Sequence, residues 1–399
     1  MPSTALPALP GRAVTLAVLL MSAMTIMANA TIAPSLPGMR EHYADVEGIE
    51  TLAGLLLTLP SLAIVLSAGA MGWLADKMDR QRLLLVSGLL YAIGGTSGLW
   101  VDGIGAMLVG RTVLGIGVAG TMILATTWAA DLWQGEARQR YLGLQGAAMS
   151  AGGTVVILLG GLLATLHWRG AFLAYLLVVP VMLIGLWALA PYAQARSKAP
   201  QVVREGAKAA GIPWRTFAFV GPLAFLFMAC FYVMPTRLPF RLAEMGVTSP
   251  VVTGLVMALV TACAIPGALG YGRLRTRLSA MDVFALSWAL MAVGMGTVAL
   301  APSVPVAALG VAVLGLGMGP SMPNYMTYWM DAVPPAVRGR ASGLLTTAFF
   351  SGQFASPLVT APLVARFSLA EAFGALALVM GALAAGLGVL AGMRRGARA

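Results

Sequence analysis

Charge is scarce in this chain of 399 residues: Asp, Glu, Lys and Arg make up only 10% of it, against 59% hydrophobic residues. A soluble domain carries about 25% charged residues, so an ordinary water-soluble fold is excluded, and a mean hydropathy of +0.87 places the chain in lipid. Cysteine is nearly absent. Cys230 and Cys263 both lie inside apolar runs, which argues against a disulfide framework and leaves them as small core hydrophobes. With 2 histidines, no His/Cys/acid metal spacing and no phosphate loop, there is no catalytic cluster, metal set or cofactor motif on which to build an enzyme. Acid is missing from the middle of every apolar run. Glu41, Asp45, Glu47, Glu50, Asp102, Glu244 and Glu371 fall on one side of the expected membrane and Asp76, Asp79, Asp131, Glu136, Glu205, Asp282 and Asp331 on the other.

What the chain has in abundance is apolar runs of roughly 20 residues, long enough to cross a bilayer as helices that satisfy their own backbone groups. Twelve are expected, at approximately 13–33, 52–71, 84–101, 105–129, 142–166, 171–191, 216–236, 251–271, 283–301, 306–330, 341–364 and 372–392. Arg12, the run after it and Ala28-Asn29-Ala30 imitate a signal peptide; eleven further spans and an even helix count favour a first membrane helix instead. Arg40, Arg169, Arg237, Arg241 and Arg366 lie on one side and Arg111 lies within a span, while every other lysine and arginine falls on the side of the two termini. The positive-inside rule therefore puts both termini in the cytoplasm, in an inner (plasma) membrane of bacterial type. The formal charge of +11 is thus a matter of orientation, and no nucleic-acid partner is expected.

The longest polar connection, 193–215, holds five basic residues against the single acid Glu205 and reads as a cytoplasmic linker between a bundle at 1–192 and a second at 216–399. At a constant offset of 200 residues the halves share Gly72/Gly272, Leu74/Leu274, Gly115/Gly315, Gly117/Gly317, Asp131/Asp331, Arg138/Arg338, Arg140/Arg340 and Gly152/Gly352. Glycine matches come cheaply in such a composition. An Asp, Arg, Arg triple in one register does not, and six helices per half preserve orientation, so the repeats are parallel.

The stretch Gly72-Trp-Leu-Ala-Asp-Lys-Met-Asp-Arg-Gln-Arg-Leu packs its charges between two spans and must turn back as a very short loop. Its order of Gly72, Leu74, Asp76, Arg80 and Arg82 resembles the signature between helices two and three of major facilitator superfamily transporters. Gly110-Arg-Thr-Val-Leu-Gly-Ile-Gly-Val-Ala matches that family's helix-four signature at Arg111, Gly115, Gly117 and Ala119. The resemblance implies an all-α integral membrane fold of twelve helices in two six-helix pseudo-repeats. It also implies that Asp76 docks on helix eleven and latches the outward-facing state, with Gly72 in the same signature and Arg80 paired to Asp131 in a charge relay. Asp79 replaces the signature's second glycine, which adds an acid to the turn. Helix five keeps the glycine spacing of the antiporter signature at Gly143, Gly152, Gly160 and Gly161 but has Val156-Ile157 where that signature has Gly-Pro, so the kink that proline supplies is missing.

Arg111 sits roughly 9 Å into a layer about 30 Å thick, counting at about 1.5 Å per residue, where a cation is a functional hypothesis by default. The resemblance assigns its position to proton coupling or substrate contact and makes helices one, four, seven and ten line the cavity. The substrate candidates are therefore Thr25, Asn29, Arg111, Thr121, Met122, Phe231, Tyr232, Asn324, Tyr325 and Tyr328, with Gln353 from helix eleven. No cavity carboxylate is present for proton exchange, which leaves Asp76, Asp131 or a histidine. The expected function is alternating-access efflux of small amphipathic, drug-like molecules in exchange for protons, as in the twelve-helix drug:proton antiporters, by a monomer. The competing reading is an importer or exchanger of a small organic anion held by Arg111.

Overall fold

A computed structural model describes residues 10–192, 211–334 and 337–396; residues 193–210 of the expected linker lie outside them. All regular structure among the described residues is helical. In chain order the long elements are α1 (Arg12–His42), α2 (Ile49–Lys77), α3 (Arg80–Trp100), α4 (Ile104–Leu132), α5 (Gly135–Ala164), α6 (Trp168–Ala188), α7 (Trp214–Glu244), α8 (Pro250–Arg277), α9 (Ala280–Leu300), α10 (Val304–Ala332), α11 (Arg338–Val364) and α12 (Leu369–Gly396). Eleven of these are long and apolar enough to cross a membrane. The exception, α11, is long but diluted by Gly352, Gln353, Ser356 and Thr360, all of which are buried. Its polar face is turned to other helices, so it needs less apolar surface than a lipid-facing span.

The internal repeat is visible in the packing. A Cβ on Gly94 would press into the backbone of Gly110 and Leu114, and one on Gly294 into Gly310 and Leu314. In the same way Gly115 meets the Pro60 carbonyl and Gly315 the Val260 carbonyl. Helices α4 and α10 are thus gripped by their neighbours at positions 200 residues apart, and the glycines are there because nothing larger fits between touching backbones.

Two helices break near mid-span. In α1 the first segment ends at Ala30 and a 3-10 turn, Ala33–Ser35, leads into Leu36–His42. In α7 the break falls at Tyr232, between Trp214–Phe231 and Val233–Glu244. Pro34 and Pro235 follow these breaks closely; each lacks an N–H and crowds the carbonyl four residues back. Both helices run past the ends that hydropathy marked, 33 and 236, because the segments beyond the breaks carry Arg40, Arg237 and Arg241. The glycines of α5 fit two neighbours at once: Gly152 lies against Ala23 and Gly160 against the Thr31 carbonyl of α1, while Gly161 meets Pro250 of α8. Of the spacing read as an antiporter signature, Gly152 and Gly160 seat α1, Gly161 touches the second half and Gly143 faces open space.

Candidate central cavity and gates

The turn between α2 and α3 is only Met78-Asp79 long. Asp79 serves as the N-cap of α3, its Oδ1 accepting from the backbone N–H of Gln81 at 2.9 Å and of Arg82 at 3.0 Å. The acid that departs from the signature therefore satisfies two open helix donors, and no left-handed residue is needed in the turn. Arg80 follows, buried, with Nη1 2.7 Å from Asp131 Oδ2 at the end of α4. Asp76 is exposed on the last turn of α2 and makes no ion pair or hydrogen bond among the described residues. Gly72 faces open space. In the second half Ala280 stands at the position equivalent to Arg80, and Ser279 with Asp282 forms a capping box instead.

Asp76 has no docking partner because the halves are parted on the face that carries the termini. A vestibule of about 1310 Å³ opens there between Val65, Ala68 and Gly69 of α2, Met122 and Thr126 of α4, and Gly339, Gly343 and Thr347 of α11. Deeper lies a closed-ended cavity of about 210 Å³, and Phe350 lines both spaces. On the opposite face the halves meet tightly: Gly54 of α2 packs on Pro357 of α11, with room for no Cβ beyond 2.9 Å. The captured arrangement is open toward the termini and shut at the other end.

The deeper cavity is built around the two helix breaks. Thr25, Asn29 and Ala30 come from α1; Phe231, Tyr232 and Pro235 from α7; Met228, Met257, Met149, Met318 and Met322 from four helices; and Gln353 and Phe350 from α11. No Asp, Glu, Lys, Arg or His among the described residues lines it. Its polar groups are linked across the halves: Gln353 Oε1 accepts from Ser61 Oγ at 2.8 Å and from Asn29 Nδ2 at 3.5 Å. Asn29 Oδ1 is buried without a hydrogen-bond partner, and such an acceptor is costly unless a donor arrives. The wall is soft, apolar and adaptable, with a small amide cluster to orient a guest.

Of the expected substrate residues, Thr25, Asn29, Phe231, Tyr232 and Gln353 line this cavity and the others are elsewhere. Met122 lines the vestibule. Arg111 is fully buried inside the first bundle, its guanidinium 4.6 Å from the Phe172 ring centre and 4.8 Å from that of Tyr175. Tyr325 is likewise enclosed: its hydroxyl donates to the Leu223 carbonyl at 3.1 Å and accepts from Trp288 Nε1 at 3.2 Å. Asn324 donates to the Ala280 carbonyl at 3.0 Å, and Tyr328 packs on Phe219 and Phe284. These four face into their own bundles because α4 and α10 are wrapped on several sides, so a helix that borders the cavity spends most of its circumference elsewhere. The methionines and Ser61 were not singled out from sequence. Only the adaptability of methionine as a lining residue pointed to them, and 24 methionines gave no way to choose.

The sequence profile of the Major Facilitator Superfamily matches residues 18–357. Among curated relatives, the class C tetracycline resistance protein of Escherichia coli is 34% identical over 148 residues, 36% of this chain and 36% of that protein. The chain thus aligns with little more than a third of that relative's length. The sialic acid transporter NanX of Escherichia coli strain K12 is 21% identical over 84% of this chain and 86% of its own. The minor myo-inositol transporter IolF of Bacillus subtilis strain 168 is 27% identical over 74% and 72% respectively. Among solved structures, a D-xylose-proton symporter superposes with a TM-score of 0.73 at 16% identity, covering 93% of this chain and 96% of its own. A bacterial homologue of the lysosomal transporter Spinster, in an inward-facing and unoccupied conformation, gives 0.71 at 18% identity over 95% of each chain. With twelve helices, an internal repeat, a cavity between the halves and a profile match along most of its length, the chain belongs to the major facilitator superfamily and is a membrane transporter of small molecules, not an enzyme.

Proposed function

We propose that the protein exports small amphipathic, uncharged or weakly charged molecules by rocking its two halves about the central cavity. The observation that carries this reading is the lining: five methionine side chains, two aromatic residues of α7 and an amide pair, with no charged group. A guest held there gains from apolar burial and is oriented by one hydrogen bond to Asn29. The basic residues on the termini face support an assignment of that face to the cytoplasm, so the vestibule is the loading side. The partial likeness to a tetracycline resistance protein supports outward transport. Asp76, Arg80 and Asp131 form the latch of this cycle: Arg80–Asp131 holds α3 to α4, and Asp76 meets α11 when the vestibule closes. Exchange for protons is part of the proposal, with Asp131 and Asp76, the acids of the latch, as the exchanging groups.

Reconstituted vesicles with an imposed pH gradient test this. Lipophilic dye should move against its own gradient, and flux that ignores the pH gradient would remove proton exchange from the proposal. The competing anion reading requires Arg111 to reach a ligand. Its enclosure by Phe172 and Tyr175 argues against that reading, which predicts that Arg111→Met abolishes binding of small carboxylates.

A further inference from the structure

We infer that Glu50 and Arg237 form the lock that holds the face opposite the termini shut, and that its breakage sets the balance between the two ends of the transport cycle. Arg237 lies in the segment of α7 beyond the break and is 1% exposed. All three of its nitrogens are engaged: Nη1 with Glu50 Oε2 at 3.5 Å, Nη2 with Thr51 Oγ1 at 3.3 Å and Nε with Thr360 Oγ1 at 3.4 Å. Glu50 and Thr51 belong to α2 in the first half, whereas Arg237 and Thr360 belong to α7 and α11 in the second. The second carboxylate oxygen of Glu50 accepts from Arg40 Nη1 at 2.9 Å, and the Arg40 guanidinium lies 5.4 Å from the Phe240 ring centre of α7.

The cluster has two properties that a merely structural ion pair lacks. Among the described residues the ion pairs Asp102–Arg169, Asp131–Arg80, Glu244–Arg241 and Asp282–Arg395 each stay within one half, while Glu50 also pairs across to the other. It also sits beside the closest approach of α2 to α11, where Gly54 meets Pro357, the contact that must part for the cavity to open on this face. A buried guanidinium tolerates burial only with its partners; without the Glu50 charge, hydration of Arg237 favours the open arrangement. The lock thus opposes the Asp76 latch at the other end of the same helix pair, α2 and α11.

The test needs no substrate, so it stands apart from the proposed cargo. In a protein carrying Cys230→Ser, Cys263→Ala and the cavity reporter Met149→Cys, labelling by a membrane-impermeant maleimide is timed from each face of oriented vesicles. Glu50→Gln, nearly isosteric, should raise labelling from the face opposite the termini several-fold and slow it from the termini face. Arg237→Met should act in the same direction, and the double variant should not exceed Arg237→Met, because the Glu50–Arg237 contact is already lost in each single variant. If Arg237→Met does not fold, Arg237→Gln takes its place in the same comparison. Unchanged labelling in Glu50→Gln, labelling that rises equally from both faces, or additive effects in the double variant would each overturn the lock.

Discussion

Arg111 is enclosed in the first bundle with Nε, Nη1 and Nη2 all lacking a hydrogen-bond partner, so the faces of Phe172 and Tyr175 are its principal compensation. Tyr175 also bears on α1: its hydroxyl donates to the Ala28 carbonyl at 3.1 Å, and the nearby Tyr91 donates to the Met24 carbonyl at 2.8 Å. The cation therefore steadies the aromatic residues that brace α1 just before its break. Arg111→Lys, which loses the planar stack, should lower stability by about 0.5–2 kcal/mol, read as a lower melting temperature in detergent. Substrate affinity should fall less than stability does, since the side chain touches no cavity wall. Gln353 is the converse case. Gln353→Leu keeps the volume but leaves Ser61 without its acceptor and should weaken binding of an amphipathic ligand about tenfold, an energy of roughly 1.4 kcal/mol, measured by titration against tryptophan fluorescence. Both residues stood out in the sequence for the same reason, a polar group within an apolar run. Whether such a group faces a cavity or its own bundle depends on helix rotation, which a hydropathy pattern without amphipathic contrast does not report.

At the scale of the element, the α2–α3 turn repays attention to its acids one by one. Asp79 caps α3, Asp131 pairs with buried Arg80, and Asp76 waits in solvent. Asp79→Ala should cost about 1 kcal/mol of stability and leave the conformational balance alone. Asp131→Ala removes the carboxylate 2.7 Å from a guanidinium that is 4% exposed and should cost roughly 3 kcal/mol, seen as early aggregation in a thermal ramp. Spacing and charge located the turn, and the family resemblance named its Arg80–Asp131 partners. The part that escaped notice is Arg237, set down from the sequence as an outward-side charge beyond a span that ended at 236. The helix instead resumes after Tyr232 and carries it into the seam between halves. A proline-induced break looks like an ending when only hydropathy is consulted.

The whole molecule is two copies of one packing scheme: the Asp, Arg, Arg triple made the register of 200 residues readable, and close contacts at Gly94, Gly115, Gly294 and Gly315 enforce it. Gly94→Leu and Gly294→Leu should therefore be about equally damaging, each forcing apart a pair of helices that touch backbone to backbone; expression as a monodisperse species checks this, and a large difference between the two would show that the halves are not mechanically equivalent. The division into halves and the parallel repeat thus followed from sequence, whereas the location of the cavity depended on where α1 and α7 break. One further consequence follows from what surrounds that cavity. A thioether is readily oxidised to a sulfoxide, which is polar and chiral, and five such groups converge on the central cavity. Under peroxide stress the compartment would turn from greasy to wet, and an apolar guest would lose its fit there until the sulfur was reduced again.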